Sequence, residues 1–490
     1  MKKHYQIAID QSTSGTKVLL FKEGKLVDRL DKKHRQLYPK KGWVEHNPIE
    51  ICQNVRTLIA DILTKYDLIT ADIERLALTN QRETIVAWDK QTGKPLYNAI
   101  VWQCNRTKEI CETLKEAGYE KRIKQLTGLK IDSYFSASKM MWLLENISAV
   151  RDAASRNQLA FGTMDAWLLF SLTDDSNYFT DRTNASRTLL YDIEKNDWSD
   201  ELLELFGVKR AYLPEVKQSA GSFGSFGSYQ EIPIHSVMAD SEAALYGQGC
   251  DTFGAVKATL GTGCSVMMQI GENRLPENDA ILTTLAWDVA GVNQFALEGI
   301  IRSCGDTLVF LSEQLELFND YDTACKRAFQ LPCNEGVVLI PGQLGLGAPY
   351  WNTDIRAEIL GLTREHTKWH IIRAGFTSIA FQIKAVIDQM ELMIGQNIKR
   401  LQVDGGLTKQ HELMQYLADV LKAEVAVSPV EELSAIGVVE IAKNKPKNKR
   451  TIAKLYQPSI THTNALEDFQ EWEKQVKSSI LKLQKVRNFK

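Results

Sequence analysis

Nowhere in its 490 residues does the chain hold an apolar run approaching the roughly 18–20 residues that a membrane-crossing helix requires. It also lacks a surplus of either charge: 59 Lys and Arg stand against 61 Asp and Glu, a formal net charge of -2. Without a basic excess there is no electrostatic footprint for nucleic acid. None of the eight cysteines forms a C-x-x-C pair, so the expectation is reduced, mostly buried thiols rather than a zinc site or a disulfide framework. The opening MKKHYQIAIDQ meets Asp10 after a very short apolar stretch, which argues against a secretory signal and for a cytoplasmic protein. Two nucleotide-binding signatures are missing too, G-x-x-x-x-G-K-[ST] and a G-x-G-x-x-G opening a helix. What remains is a globular composition, 44% hydrophobic and 24% charged, with length for about two to four domains.

What is present is a pattern used twice. YQIAID, QSTSGT and KVLLF read as two strands around a hydroxyl-rich turn, entered by Asp10 and left by Lys17. Near residue 254 GAVKATL, GTG and CSVMMQI repeat the design, so two domains of similar build are expected. Strands are expected at 76–81, around 160–170, at 336–341 and at 400–406. A helix is expected from Lys368 to Ile394, where Ile372, Phe376, Ile379, Ile383, Val386, Met390 and Ile394 recur at three- or four-residue steps and Gly395 supplies the stop. Strand–helix alternation after each meander makes the class α/β. GSFGSFGSY (221–229) reads as an exposed turn, KNKPKNKR (443–450) as a solvated basic linker, and 466–483 as an amphipathic helix docking back on the body.

Paired Gly/Ser/Thr turns after strands can aim backbone N–H groups at phosphate oxygens, and Asp10 suits a hydrated Mg²⁺. A third glycine turn, Asp404-Gly405-Gly406, adds to the case for a nucleotide, although one such turn alone is more often structural. The loop Gly342 to Trp351 suggests tight backbone packing near a site. Arg82 and Glu83 at a strand end, with Trp88 and Trp102 near in sequence, offer donors and acceptors matched to a vicinal diol; the alternative is a surface ion pair. Asp240 stands where the apolar run Ile234 to Ala239 meets a helix, as a carboxylate aimed at a ligand or as an N-cap.

In order along the chain, AIDQSTSGTK, GWVEHNP, TNQRET, VWQCNRT, IDSYFSASKMMWLLEN, FGTMDAWLL, LGTGCS, LGLGAPYW and LQVDGG closely resemble the FGGY carbohydrate kinases, the glycerol kinase branch most of all. The resemblance implies two ribonuclease H-like domains of the actin and sugar-kinase superfamily with the active site in the interdomain cleft. Its division is 1–247 for polyol binding and the first phosphate hairpin, 248–443 for nucleotide binding and the second, and 444–490 for a basic linker and C-terminal helix. It further implies ATP and Mg²⁺, a small polyol or sugar substrate, and a homo-oligomer, dimer or tetramer. By matching motifs, Asp240 is the general base. Asp10 and Asp240 hold the metal. Thr13, Ser14, Lys17, Thr262, Gly305, Gly406 and Gln410 surround the nucleotide. Arg82, Glu83, Trp102 and Tyr134 hold the polyol, with Ser241 and Ser265 beside it.

The pattern also departs from that branch. Two glutamines usually follow the catalytic Asp, and here Ser241 and Glu242 do; GTGCF usually stands where Gly261 to Ser265 read GTGCS. Both serines enlarge the pocket and make its wall more polar, which leaves a larger polyol or ketose (erythritol, xylulose, ribulose) beside glycerol. Gln410 and Val309 stand where asparagine and glutamine are common, and the 221–229 segment is unlike its counterparts. A catalytically silent ATP-binding protein of the actin type is the reading from another class, and it gives no reason to keep Asp240 together with the diol set.

Overall fold

The computed structural model describes residues 4–227, 232–289, 291–443, 452–459, 462 and 464–488. Its contacts divide the chain into two compact units. One comprises Met1–Gly249, Thr283–Phe295 and Glu432–Asn448; the other comprises Cys250–Leu282, Ala296–Glu431 and Lys449–Lys490. The chain thus re-enters the first unit twice after the second has begun.

In the first unit a six-stranded sheet runs in the order Ser225–Phe226, Ile232–Ala239, Ile73–Asn80, Tyr5–Gln11, Gly15–Lys22 and Lys25–Lys33. The last three form the expected antiparallel meander, and Ile73–Asn80 and Ile232–Ala239 lie parallel to Tyr5–Gln11. Alternation along the meander sends Ile7, Ile9, Val18 and Leu20 into a core shared with Ile51, Val55, Leu58 and Ile62 of helix Pro48–Lys65. Two short helices, Asp240–Gly247 and Leu433–Ile441, cross in backbone contact: a Cβ on Gly437 would stand 1.8 Å from the Ala243 carbonyl oxygen, and one on Gly247 2.1 Å from that of Leu433. Only glycine permits this approach.

The second unit repeats the plan. Val256–Leu260 and Cys264–Gly271 are antiparallel, and Arg400–Asp404 and Glu424–Val427 follow in parallel to Val256–Leu260. Helix Lys368–Ile394 has the expected bounds, with Gly395 in the left-handed region at φ 69° closing it. The loop 342–351 packs as tightly as its glycines suggest: a Cβ on Gly347 would lie 1.9 Å from the Ile300 carbonyl oxygen. Helix Ala465–Asn488 buries Phe469, Trp472 and Val476, which confirms a docked C-terminal helix.

Two expectations need correction. The segment 160–170 is a strand only at Leu159–Thr163 and becomes helix at Met164–Leu172. That helix is buried nearly all round, so no periodicity separates it from the strand before it. The 221–229 segment is not simply an exposed turn. Phe223 and Phe226 are buried, and Ser225–Phe226 pairs with the following strand. Of the basic run 443–450, all but Lys443 lies outside the described residues, as do residues 228 and 229. The cysteines are free, and all but the half-buried Cys333 are buried.

Candidate active site

Strand register builds the site in the first unit. Asp10 stands opposite Lys17 across the hairpin and beside Thr79 on the other flank, while Asn80 is paired with both Gln11 and Ala239. The carboxyl ends of three parallel strands therefore meet, and the residues that follow each strand share one edge, where open α/β sheets bind ligands. Arg82, Glu83 and Asp240 are all such residues.

Arg82 and Glu83 are not a surface pair, since their side chains are 4% and 1% exposed. The Arg82 guanidinium lies among three carboxylates: Glu83 at 3.8 Å, Asp240 at 3.6 Å and the fully buried Glu242 at 3.2 Å. Glu83 adopts φ 61°, a left-handed conformation that costs a non-glycine residue roughly 1–2 kcal/mol. Such strain is retained where the surroundings impose it. Here the fully buried Arg187 donates to Glu83 Oε1 at 2.7 Å, and Ser136 Oγ donates to its carbonyl at 2.9 Å. The Trp102 and Tyr134 rings pack with centroids 5.2 Å apart, and Trp102 Nε1 donates to Thr13 Oγ1 at 2.9 Å. Buried Lys139 fixes the Tyr134 turn by donating to the carbonyls of Ser133, Tyr134 and Phe135; burial brings its pKa down to about 8.

Asp240 is not the N-cap of its helix, because Ala239 holds that position. Its carboxylate instead accepts from the Ser241 amide at 2.7 Å and the Ser241 hydroxyl at 3.3 Å, and at 33% exposure it remains open to a ligand. The strand end behind it is anchored by Thr183, whose Oγ1 accepts from the Ala239 amide at 2.9 Å and is itself held by Asp181. Asp165 neighbours that carboxylate and takes hydroxyl bonds from Thr163 and Thr180. Burial and the charge of Asp181 raise Asp165 to about 7, from an ordinary 3.8.

A carboxyl that holds its proton more tightly when folded supports the fold fully below its unfolded pKa and loses that support as the pH rises through 7. Asp165→Asn, which cannot ionise, is expected to flatten this dependence. Between about pH 4 and pH 8 the melting temperature of the parent should fall more steeply than that of the variant. Parallel curves would assign the pH dependence to other groups.

The first turn is closed by the Ser12 amide and hydroxyl, both donating to the Gly15 carbonyl, with Ser14 exposed at its tip. Asp10 beneath it is buried, and its pKa rises to about 6. Burial is the main cause, Lys17 opposes it, and the charges of Asp240 and Glu432 add to it. For Lys17, burial pulls downward, but the carboxylates of Asp10 and Glu432 prevail and hold its pKa above the ordinary lysine value.

In the second unit the same sheet logic gathers the other predicted residues. The Gly261 and Thr262 carbonyls accept from the Gly305 and Cys304 amides, both at 2.9 Å, and a Cβ on Gly305 would meet Gly261 O at 2.7 Å. Gly405, at φ 96°, packs against Leu260, so the turn 261–263 and the Gly406 turn lie at one sheet end. Gln410 is buried there, and its Oε1 has no hydrogen-bond partner among the described residues. Ser265 sits on the strand after the turn, its hydroxyl donating to buried Glu298 at 3.2 Å.

Residues 5–247 match the N-terminal domain of the FGGY family of carbohydrate kinases, and residues 256–443 match its C-terminal domain. Glycerol kinase 1 of Thermotoga maritima is 45% identical over 442 residues, 89% of this chain and 90% of that protein. The Bacillus subtilis glycerol kinase is 38% identical over 490 residues, covering 97% and 99%. The crystal structure of Plasmodium falciparum glycerol kinase with ADP superposes with a TM-score of 0.89 at 32% identity, covering 97% of this chain and 98% of that one. A Lactobacillus acidophilus xylulose kinase, 19% identical with a TM-score of 0.86, shares the fold. The chain belongs to the FGGY family of carbohydrate kinases.

Proposed function

We propose that this enzyme transfers the γ-phosphoryl group of MgATP to a primary hydroxyl of glycerol, giving glycerol 3-phosphate and ADP. Relatives named glycerol kinase, 38–45% identical across most of their length, support this acceptor. The observation that supports the chemistry is the accessible Asp240 carboxylate, set against Arg82, which is buried together with Glu83.

In this reading Asp240 takes the hydroxyl proton as the oxygen attacks phosphorus. Arg82 donates to the remaining hydroxyl oxygens, Glu83 accepts from their protons, and the Trp102 and Tyr134 rings cover the carbons. Phosphoryl transfer passes through a loose transition state, so the protein mainly positions the reactants and neutralises charge. Lys17, the turn at Thr13 and Ser14, and Thr262 face the phosphates; Gly305, Gly406 and Gln410 surround the rest of the nucleotide. Asp10 and Asp240 would hold Mg²⁺. They fit it as hard oxygen donors, and the pKa of Asp10 is raised in part by the charge of Asp240. When bound, the ion draws charge from the phosphate oxygens. A cytoplasmic location and a dimeric or tetrameric state belong to the same proposal; sedimentation of the purified chain tests the latter. Among the described residues no helix is long and apolar enough to cross a membrane.

ADP release should be fastest, by kcat/KM, with glycerol in a panel containing dihydroxyacetone, erythritol, xylitol, ribulose, xylulose and gluconate. A clear preference for a four- or five-carbon acceptor would replace glycerol while leaving the kinase intact. The observation behind that second reading is that both departing serines are small and already engaged, Ser241 with Asp240 and Ser265 with Glu298. Ser265→Phe is accordingly expected to shift the kcat/KM ratio of glycerol to erythritol upward by roughly tenfold, the scale of one methylene in a pocket. An unchanged ratio would remove Ser265 from the acceptor wall.

A further inference from the structure

Glu432 precedes helix Leu433–Ile441, 415 residues after Lys17, and its side chain is 5% exposed. The side chains that favour this capping place are short, Ser, Thr, Asp or Asn, and glutamate is not among them. This one makes no capping bond. Its Oε2 accepts from Lys17 Nζ at 2.9 Å and its Oε1 from Arg29 Nη1 at 2.5 Å. Arg29 is fixed from its other side by Asp31, bonded through Nη2 at 3.1 Å.

Lys17 has a competing partner, since Asp10 Oδ2 stands 3.6 Å from its ammonium. Were Lys17 to close on Asp10, the proposed phosphate cation and the proposed metal carboxylate would neutralise each other. Lys17 is instead shared, paired with Asp10 at 3.6 Å and with Glu432 at 2.9 Å, so the shorter bond keeps it from being committed to Asp10 alone. Lysine is a flexible point charge with three donors, so one firm bond fixes its direction and leaves capacity for a phosphate oxygen. Burying Glu432 is costly, and its two cations offset that cost only with Lys17 and Arg29 in these places.

We infer that Glu432 is a positioning residue for phosphoryl-donor binding. It shares the Lys17 ammonium with Asp10 and holds it at the first phosphate turn, with Arg29 as its second anchor. The inference rests on the proposed reading of Lys17 as a phosphate contact. It adds a residue from the far end of the chain to the donor half of the reaction, so the helix whose backbone meets that of the Asp240 helix also sets the nucleotide's cation.

The test uses the full-length enzyme, with KM for MgATP by steady-state kinetics and Kd for the Mg²⁺ complex of a non-hydrolysable ATP analogue by calorimetry, which needs no acceptor. Glu432→Gln is expected to raise both by about tenfold, the effect of one charge-assisted hydrogen bond, with the KM for glycerol unchanged and Glu432→Asp recovering part of the loss. In a Lys17→Ala background the same substitution should add less than about twofold, because its effect passes through Lys17. Full additivity, or an unchanged KM and Kd in Glu432→Gln while Lys17→Ala is impaired, overturns the inference; a lowered melting temperature alone would then describe its role. An unimpaired Lys17→Ala removes the reading of Lys17 and the inference with it. Should Glu432→Gln fail to fold, Arg29→Ala withdraws only the second anchor. A rise of about threefold in KM for MgATP then supports the inference, and no rise overturns it.

Discussion

Asp240→Asn is expected to lower kcat by about 10²–10⁴-fold, the usual worth of a general base, while the KM for MgATP stays within about twofold. Asparagine keeps the size of the side chain, and its Oδ1 can still accept from the Ser241 amide and hydroxyl, bonds of 2.7 and 3.3 Å in the parent. The lost capacities are proton abstraction and the negative charge that Asp240 would offer to Mg²⁺. Arg82 retains Glu83 and Glu242 as counter-charges, so the guanidinium should not move far. With Asp10 and the amide oxygen left to serve Mg²⁺, a large loss of kcat at an unchanged KM for MgATP reports proton abstraction. The direct measurement is single-turnover phosphoryl transfer with saturating MgATP and glycerol, with a thermal melt to confirm folding. Turnover near that of the parent would show that another group, or solvent, takes the proton.

Much of this site was legible in the sequence because its residues follow strands. Alternation in YQIAID and KVLLF is a local signal, as is the hydroxyl-rich turn between them, and the same holds for GAVKATL and CSVMMQI. The long helix ending at Gly395 could be placed to the residue, since its apolar positions recur at helical spacing and glycine stops it. Residues 164–172 could not be assigned this way, because a helix buried nearly all round has no polar face to reveal its period. In GSFGSFG the glycines and serines masked the informative residues: Phe223 and Phe226 bury themselves and draw part of the loop into the sheet.

The structure decided two questions that sequence left open: burial makes Arg82 and Glu83 an internal pair, and the helix that starts from Ala239 removes the N-cap alternative for Asp240. Arg187 and Glu432, which the sequence did not single out, and Glu242, read there only as a departure from the family pattern, act on partners 104, 415 and 160 positions away. A buried charge needs a counter-charge. Arg82 thus implied some acid nearby, but a single sequence does not say which one folds against it.

The C-terminal helix offers the second large effect. Trp472→Ala is expected to destabilise the second unit by about 3–5 kcal/mol, read as a fall in its denaturation midpoint. The helix lies beyond residue 443, where the family's C-terminal domain ends, yet Trp472 is among the largest fully buried side chains. Its ring packs against Phe381 at 5.8 Å, Tyr350 at 6.1 Å and Phe469 at 6.3 Å between centroids. It thereby ties the terminal helix to Lys368–Ile394 and to the glycine-rich loop. Nε1 also donates to the Leu339 carbonyl at 2.9 Å, and truncation leaves that acceptor facing a cavity. Trp472→Phe, which keeps most of the ring contacts and loses the hydrogen bond, should cost only about 1–3 kcal/mol. The ordering of the two variants matters more than either value, because it separates packing from hydrogen bonding. Purified folded Trp472→Ala should keep the parent's acceptor preference, since none of the proposed acceptor residues lies on this helix. A loss below about 1 kcal/mol would mean that the helix leaves this core at little cost. A changed acceptor preference in the folded fraction would instead make the helix part of the catalytic apparatus.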